Sequence, residues 1–189
     1  MSGCKAVLML AAALAAVPMK AQTQKKADLD LGITFAAQRS FNAGTGQPFW
    51  MTGGQAELGA SLWHGLGAAL SVSGTHTNSI AASGIPLSFV VWTAGPRYRW
   101  HGGHRVSAYG EVMAGEANGF HSLFPAPGAA QSNANGLAFR AGLGVDLAVK
   151  KHFAIRALEA SYLRTQLPNA DNNVQNILQL GAGVVFRFH

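Results

Sequence analysis

The chain has 189 residues, room for one ordinary domain, and only 12% of them are charged where about 25% is usual, against a hydrophobic fraction of 49%. So little charge makes a poor coat for a water-soluble surface, so the apolar residues either build an unusually good core or face something other than water. The formal charge of +6 is scattered, with basic pairs at Lys25–Lys26 and Lys150–Lys151 and no aromatics interleaved, which argues against a nucleic-acid partner.

Met1–Lys5 carries one positive charge, and Ala6–Met19 is an almost pure apolar run, too short for a comfortable helical span. Residues 1–21 are expected to be a secretory signal peptide cut after Ala21, although Met19 is a poor match to the small residue usual there. The single cysteine, Cys4, falls inside it. The processed chain then has no disulfide, no thiol chemistry and no cysteine-based metal site, and without Lys5 and Lys20 its formal charge falls from +6 to +4. Residues 22–27 form a short polar linker, and residues 28–189 are expected to be one barrel domain.

From Leu29 onward the dominant signal is alternation with a period of two, the mark of strands with two unlike faces. Leu29, Leu31, Ile33, Phe35 and Ala37 oppose Asp30, Gly32, Thr34, Ala36 and Gln38. The pattern recurs over residues 56–62, 66–73, 92–100 and 106–114. It is cleanest in Leu137–Val149, where Leu137, Phe139, Ala141, Leu143, Val145, Leu147 and Val149 oppose Ala138, Arg140, Gly142, Gly144, Asp146 and Ala148. It falters in His152–Arg164, because Arg156 and Glu159 are an odd number of positions apart and a regular strand cannot turn both inward; a bulge would resolve this. The last segment, 178–188, completes eight strands, an even number that can close without a free edge. Short links at His64–Gly65, His101–His104 and Lys150–Lys151 alternate with long ones at Asn42–Gly53, Thr77–Pro86, Ala117–Asn135 and Gln166–Asn172. Short periplasmic turns opposite long outer loops are the habit of outer-membrane barrels.

Face chemistry sets the orientation. The second face is Gly, Ala, Ser and Thr with a few charges, too bare to meet water but suited to the lumen of an eight-stranded barrel, which side chains just fill. Arg97, Arg99, Glu111, Arg140, Asp146 and Arg187 are therefore expected to pair inside as a polar network, since Arg on the lipid face costs about 2–4 kcal/mol near the midplane. Trp63, Trp100, Phe153 and Phe188 fall near one boundary, and Phe41, Trp50 and Trp92 near the other, as two aromatic girdles.

The closing segment from Asn173, N-V-Q-N-I-L-Q-L-G-A-G-V-V-F-R-F-H, resembles the terminal strand of outer-membrane barrels. Ala94–Tyr98 and Ser161–Thr165 are similar to segments of the small barrels with OmpA/OmpX-like transmembrane architecture. The resemblance spans essentially the whole processed chain. It implies an all-β, eight-stranded, antiparallel up-and-down barrel in the outer membrane, with outer-membrane lipid around it. It also implies that Phe186 and Phe188 serve as the C-terminal signal read by the barrel-assembly machinery, with His189 after them as a small departure. No peptidoglycan-binding domain of the OmpA type follows the strands, so wall anchoring by that route is not expected.

Catalytic signals are sparse. His121–Ser122 and His76, among Thr75, Thr77 and Ser79, are the nearest approach to a serine nucleophile with a base, and neither forms an identifiable triad. His101-Gly-Gly-His104 is half a metal site without a carboxylate. A water-filled pore needs about 16 strands. The expectation is a cofactor-free, non-enzymatic barrel with a structural or surface-interaction role through its long loops. A lipid A acyl hydrolase or transferase is the alternative, and a soluble lipocalin-like binder a more distant one.

Overall fold

The computed structural model describes residues 28–41, 47–81, 83–103, 105–169 and 171–188; the leader, the linker, His104 and His189 lie outside the described residues. Eight strands run β1 (Asp28–Ser40), β2 (Phe49–Trp63), β3 (Leu66–Thr77), β4 (Leu87–His101), β5 (Val106–Phe120), β6 (Ala134–Lys150), β7 (Phe153–Thr165) and β8 (Gln175–Phe188). Each pairs antiparallel with the next, and β1 pairs with β8 from Leu29↔Phe188 to Ser40↔Ile177, closing the barrel. Closure leaves no strand edge unpaired.

The faces segregate as the alternation requires. Ile33, Leu58, Leu70, Leu143 and Ile155 point outward and are exposed, Val112 to 64%, while Asp30, Glu57, Arg97 and Asp146 point inward and are buried. A soluble lipocalin-like barrel needs the opposite arrangement. Trp63 and Trp100 stand exposed near the short-turn end, and Phe41 and Trp50 at the long-loop end. Trp50 belongs to β2 rather than to a loop.

Local geometry follows from particular residues. His64 (φ 47°) and Gly65 (φ 86°) make the two-residue β2–β3 link, with both φ values positive as a type I′ hairpin demands. In β7 the register slips between Arg156 and Glu159, with Ala157 and Leu158 both exposed. That bulge turns Arg156 and Glu159 both inward, so the odd spacing is resolved in favour of two lumen residues rather than one.

The strands run further than their alternation indicated. Phe49–Gly53 belongs to β2, Ala117–Phe120 to β5 and Ala134–Asn135 to β6, so the first three long links shrink to 41–48, 78–86 and 121–133, while the last, 166–174, runs two residues past its expected end. With 12 to 17 residues where about 9–11 span a bilayer, the strands overshoot the membrane. The reason the extensions were hidden is chemical. Phe49, Met51, Leu87, Phe89 and Val91 point inward yet are apolar, so both faces of those stretches are hydrophobic and the two-faced pattern disappears.

Candidate functional site: an ionic plug beneath an apolar cup

The lower lumen holds five guanidiniums, Arg97, Arg99, Arg140, Arg156 and Arg187, and five carboxylates, Asp30, Glu57, Glu111, Asp146 and Glu159. The structure thus brings together the six residues named from sequence and adds Asp30, Glu57, Arg156 and Glu159. Arg97 donates through Nε (3.0 Å) and Nη2 (2.7 Å) to Glu111 Oε2 and through Nη1 (3.1 Å) to Asp30, and it also pairs with Glu57. Arg156 donates to Asp146 (3.0 Å), Glu57 (2.7 Å) and Glu159 (2.8 Å). Arg99 reaches Asp146 at 2.7 Å and Asp30 at 3.1 Å. Arg140 pairs with Glu159 and donates to Ser71 Oγ at 2.7 Å. Arg187, less buried at the short-turn end, donates to Ser107 Oγ at 2.8 Å and lies 3.7 Å from Asp146.

Among the described residues every lumen cation is Arg, whose planar fork serves several carboxylates at once. Tyr109 completes the layer: its hydroxyl donates to Glu159 (3.1 Å), and Arg97 and Arg156 lie 4.4 and 4.5 Å from its ring centroid. Inward glycines make the room. A Cβ on Gly59 would come within 2.4 Å of Arg97 Nη1, and one on Gly144 within 2.5 Å of the Tyr109 ring.

Above the ions lies a chain of amides. Thr75 donates to Gln38 (3.0 Å), Gln38 to Gln179 (2.7 Å), Gln179 to Gln55, and Gln55 to Glu159 (2.7 Å). Above these the lumen turns apolar. Phe49, Met51, Leu87, Phe89, Leu163 and Ile177 pack with Phe124 and Leu167 from the loops. A cavity of about 260 Å³ opens there, whereas a pocket of about 40 Å³ lies at the short-turn end beside Asp30, Arg99 and Arg187. The plug separates the two.

Other chemistry fits poorly. Glu57, Glu111 and Glu159 bring ligand atoms within 4.8 Å of one another, but each is held by arginines, and the five cations already balance the five anions. At the outer rim His76 Nδ1 lies 3.1 Å from Ser88 Oγ and its Nε2 3.0 Å from Asn78 Oδ1, with His121 Nδ1 3.5 Å from the same hydroxyl. This orders hydroxyl, imidazole and amide as a hydrolase would. Strand parity puts it on the wrong side of the wall, however: Leu87 and Phe89 line the cup and Ser88 points outward between them. The cluster therefore sits on an open surface rather than in a water-excluding pocket. Ser122, the sequence candidate beside His121, is buried at the cup instead.

A closed eight-stranded barrel, apolar outside and polar within, defines an outer-membrane barrel protein. The model of the outer membrane protein beta-barrel domain family matches residues 6–188, and the chain belongs to that family. No curated protein matches it. Among solved structures the fold is similar to Neisserial surface protein A (14% identity, 87% of this chain and 100% of that one, TM-score 0.69). It is also similar to Ail of Yersinia pestis in complex with the heparin analogue sucrose octasulfate (19% identity, 86% and 99%, TM-score 0.58), and to OprG of Pseudomonas aeruginosa (13% identity, 90% and 100%, TM-score 0.56). At these identities the likeness is one of fold.

Proposed function

We propose that the protein is a non-enzymatic, non-conducting outer-membrane barrel that acts at the cell surface through its extracellular mouth. The observation that carries this is the charge-balanced plug, which fills the lower lumen and leaves the loop end as the accessible concavity. In this reading residues 1–21 direct secretion, and Phe186 and Phe188, both exposed on the outer face of β8, are presented to the assembly machinery.

Loop chemistry narrows the surface partner. The links 41–48, 78–86, 121–133 and 166–174 contain no Lys or Arg and one acid, Asp171. Within the links a polyanion of the kind bound to Ail would find no Lys or Arg; the nearest exposed cations, Arg39 and Arg164, stand singly at strand ends. An uncharged partner suits this surface better.

Display is tested with single cysteines and a membrane-impermeant maleimide on intact cells. Ala129→Cys, on the exposed 121–133 loop, is expected to react, and Lys151→Cys, in a short turn, only after lysis. The reverse pattern would overturn the reading.

A further inference from the structure

We infer that the extracellular cup is a preformed binding site for a small, uncharged aliphatic molecule, inserted chain-first from outside the cell. This deepens the surface-acting reading above and rests on it.

Three loops build the cup, and each is braced by its own hydrogen bonds. In 78–86, Ile80 N donates to Ile85 O at 2.7 Å, and Ser79 Oγ accepts from Gly84 N at 3.0 Å. In 121–133, Phe124 and Gln131 exchange backbone bonds of 2.8 and 2.9 Å. In 166–174, Asn169 Oδ1 accepts from the backbone N–H groups of Asp171, Asn172 and Asn173 at 2.8–3.1 Å. Bracing of this kind holds Ile80, Ile85, Phe124 and Leu167 around the mouth before any ligand arrives, so little ordering remains to be done on binding.

The lining specifies the ligand. No charged side chain contributes to it. Three of its polar groups are already engaged: Thr165 donates to Gln175 Oε1 (2.6 Å), Gln175 Nε2 donates to Leu167 O (2.9 Å), and Asn169 holds its own loop. The walls are left to Phe49, Met51, Leu87, Phe89 and Ile177. A polar ligand would lose hydrogen bonds to water and find few in exchange, whereas an apolar one removes its own surface and the cup's from water. The size sets an upper bound. About 260 Å³ lies just below the usual 300–1,000 Å³ of ligand pockets. At ~30 Å³ per water-sized unit it admits on the order of ten heavy atoms, an alkyl chain of about eight carbons with its polar end left at the rim. The amide layer and plug close the floor, so the site is a blind end and not a conduit.

Isoleucine placement offers a direct test. Of the five isoleucines, Ile80, Ile85 and Ile177 border the cup, while Ile33 and Ile155 face outward toward lipid. With Ile δ1-methyl labelling in phospholipid nanodiscs, 1-octanol is expected to shift the three cup methyls along a saturating curve. Ile33 and Ile155 should move only in proportion to octanol dissolved in the bilayer. Ile85→Lys leaves the strands untouched and places a charge at the mouth; it should weaken the saturable response at Ile80 and Ile177 by about tenfold or more. Met51→Trp, which fills the floor, should abolish it. Cup methyls that stay still, or that move linearly in step with Ile33 and Ile155, would overturn the proposal. Failure of the surface-display reading would show separately, as maleimide labelling of Lys151→Cys on intact cells.

Discussion

Replacing Glu159 by leucine is expected to destabilise the folded barrel by about 3–5 kcal/mol, the usual cost of removing one partner from a buried ion pair. Glu159 is fully buried and accepts from Gln55 (2.7 Å), Tyr109 (3.1 Å), Arg140 and Arg156 (2.8 Å). Its loss leaves one surplus positive charge in the lumen. Arg156 keeps Asp146 and Glu57, but Arg140 retains Ser71 and only longer approaches to Glu111 (3.5 Å) and Glu57 (3.9 Å). Equilibrium urea unfolding in lipid vesicles measures the change. Glu159→Gln, which keeps an acceptor oxygen in place, should cost less than the leucine variant. A leucine variant within about 0.5 kcal/mol of wild type, as for an ordinary surface substitution, would show that the plug does not hold the barrel together.

Leu143→Arg tests the other face of the same wall. Leu143 lies midway along β6, opposite Gly110 and Ala160, points outward and is 58% exposed. On a soluble protein an exposed leucine is exchanged for arginine at little cost. Against hydrocarbon the same change is expected to cost about 2–4 kcal/mol at the midplane and about 0–1 near the interface. Trp63→Arg, at the end of β2, supplies the interfacial comparison. The depth dependence is the signature: equal small effects at both positions would mean that lipid does not contact this surface.

Most of the wall was legible because lipid and lumen impose opposite polarities on successive residues. Leu137–Val149 announces both its strand and its orientation for that reason. The plug was legible in part. Arg97, Arg99, Glu111, Arg140, Asp146 and Arg187 stand out as charges on small-residue faces, and Asp30 and Glu57 share that phase in β1 and β2, so alternation alone could have added them. Arg156 and Glu159 could not both be assigned, because the bulge that turns them inward leaves no mark in a period-two pattern.

The cup was the least legible part. Its strand residues are apolar on the inner face next to Trp50, Val90 and Trp92 on the outer one, so the same chemistry that forms the concavity erases the alternation. Its loop residues, Ile80, Ile85, Leu123–Phe124 and Leu167, are scattered hydrophobics in loops otherwise mostly of Gly, Ala, Ser, Asn and Pro. Only the fold gathers them over one opening.

Current across a planar lipid bilayer holding the purified barrel tests the central claim most directly. Five arginines and five carboxylates filling the lumen predict no discrete conductance steps, at low or high salt. Reproducible unitary steps carried by the wild-type protein, scaling with salt, would contradict a closed lumen and with it the assignment of function to the extracellular mouth.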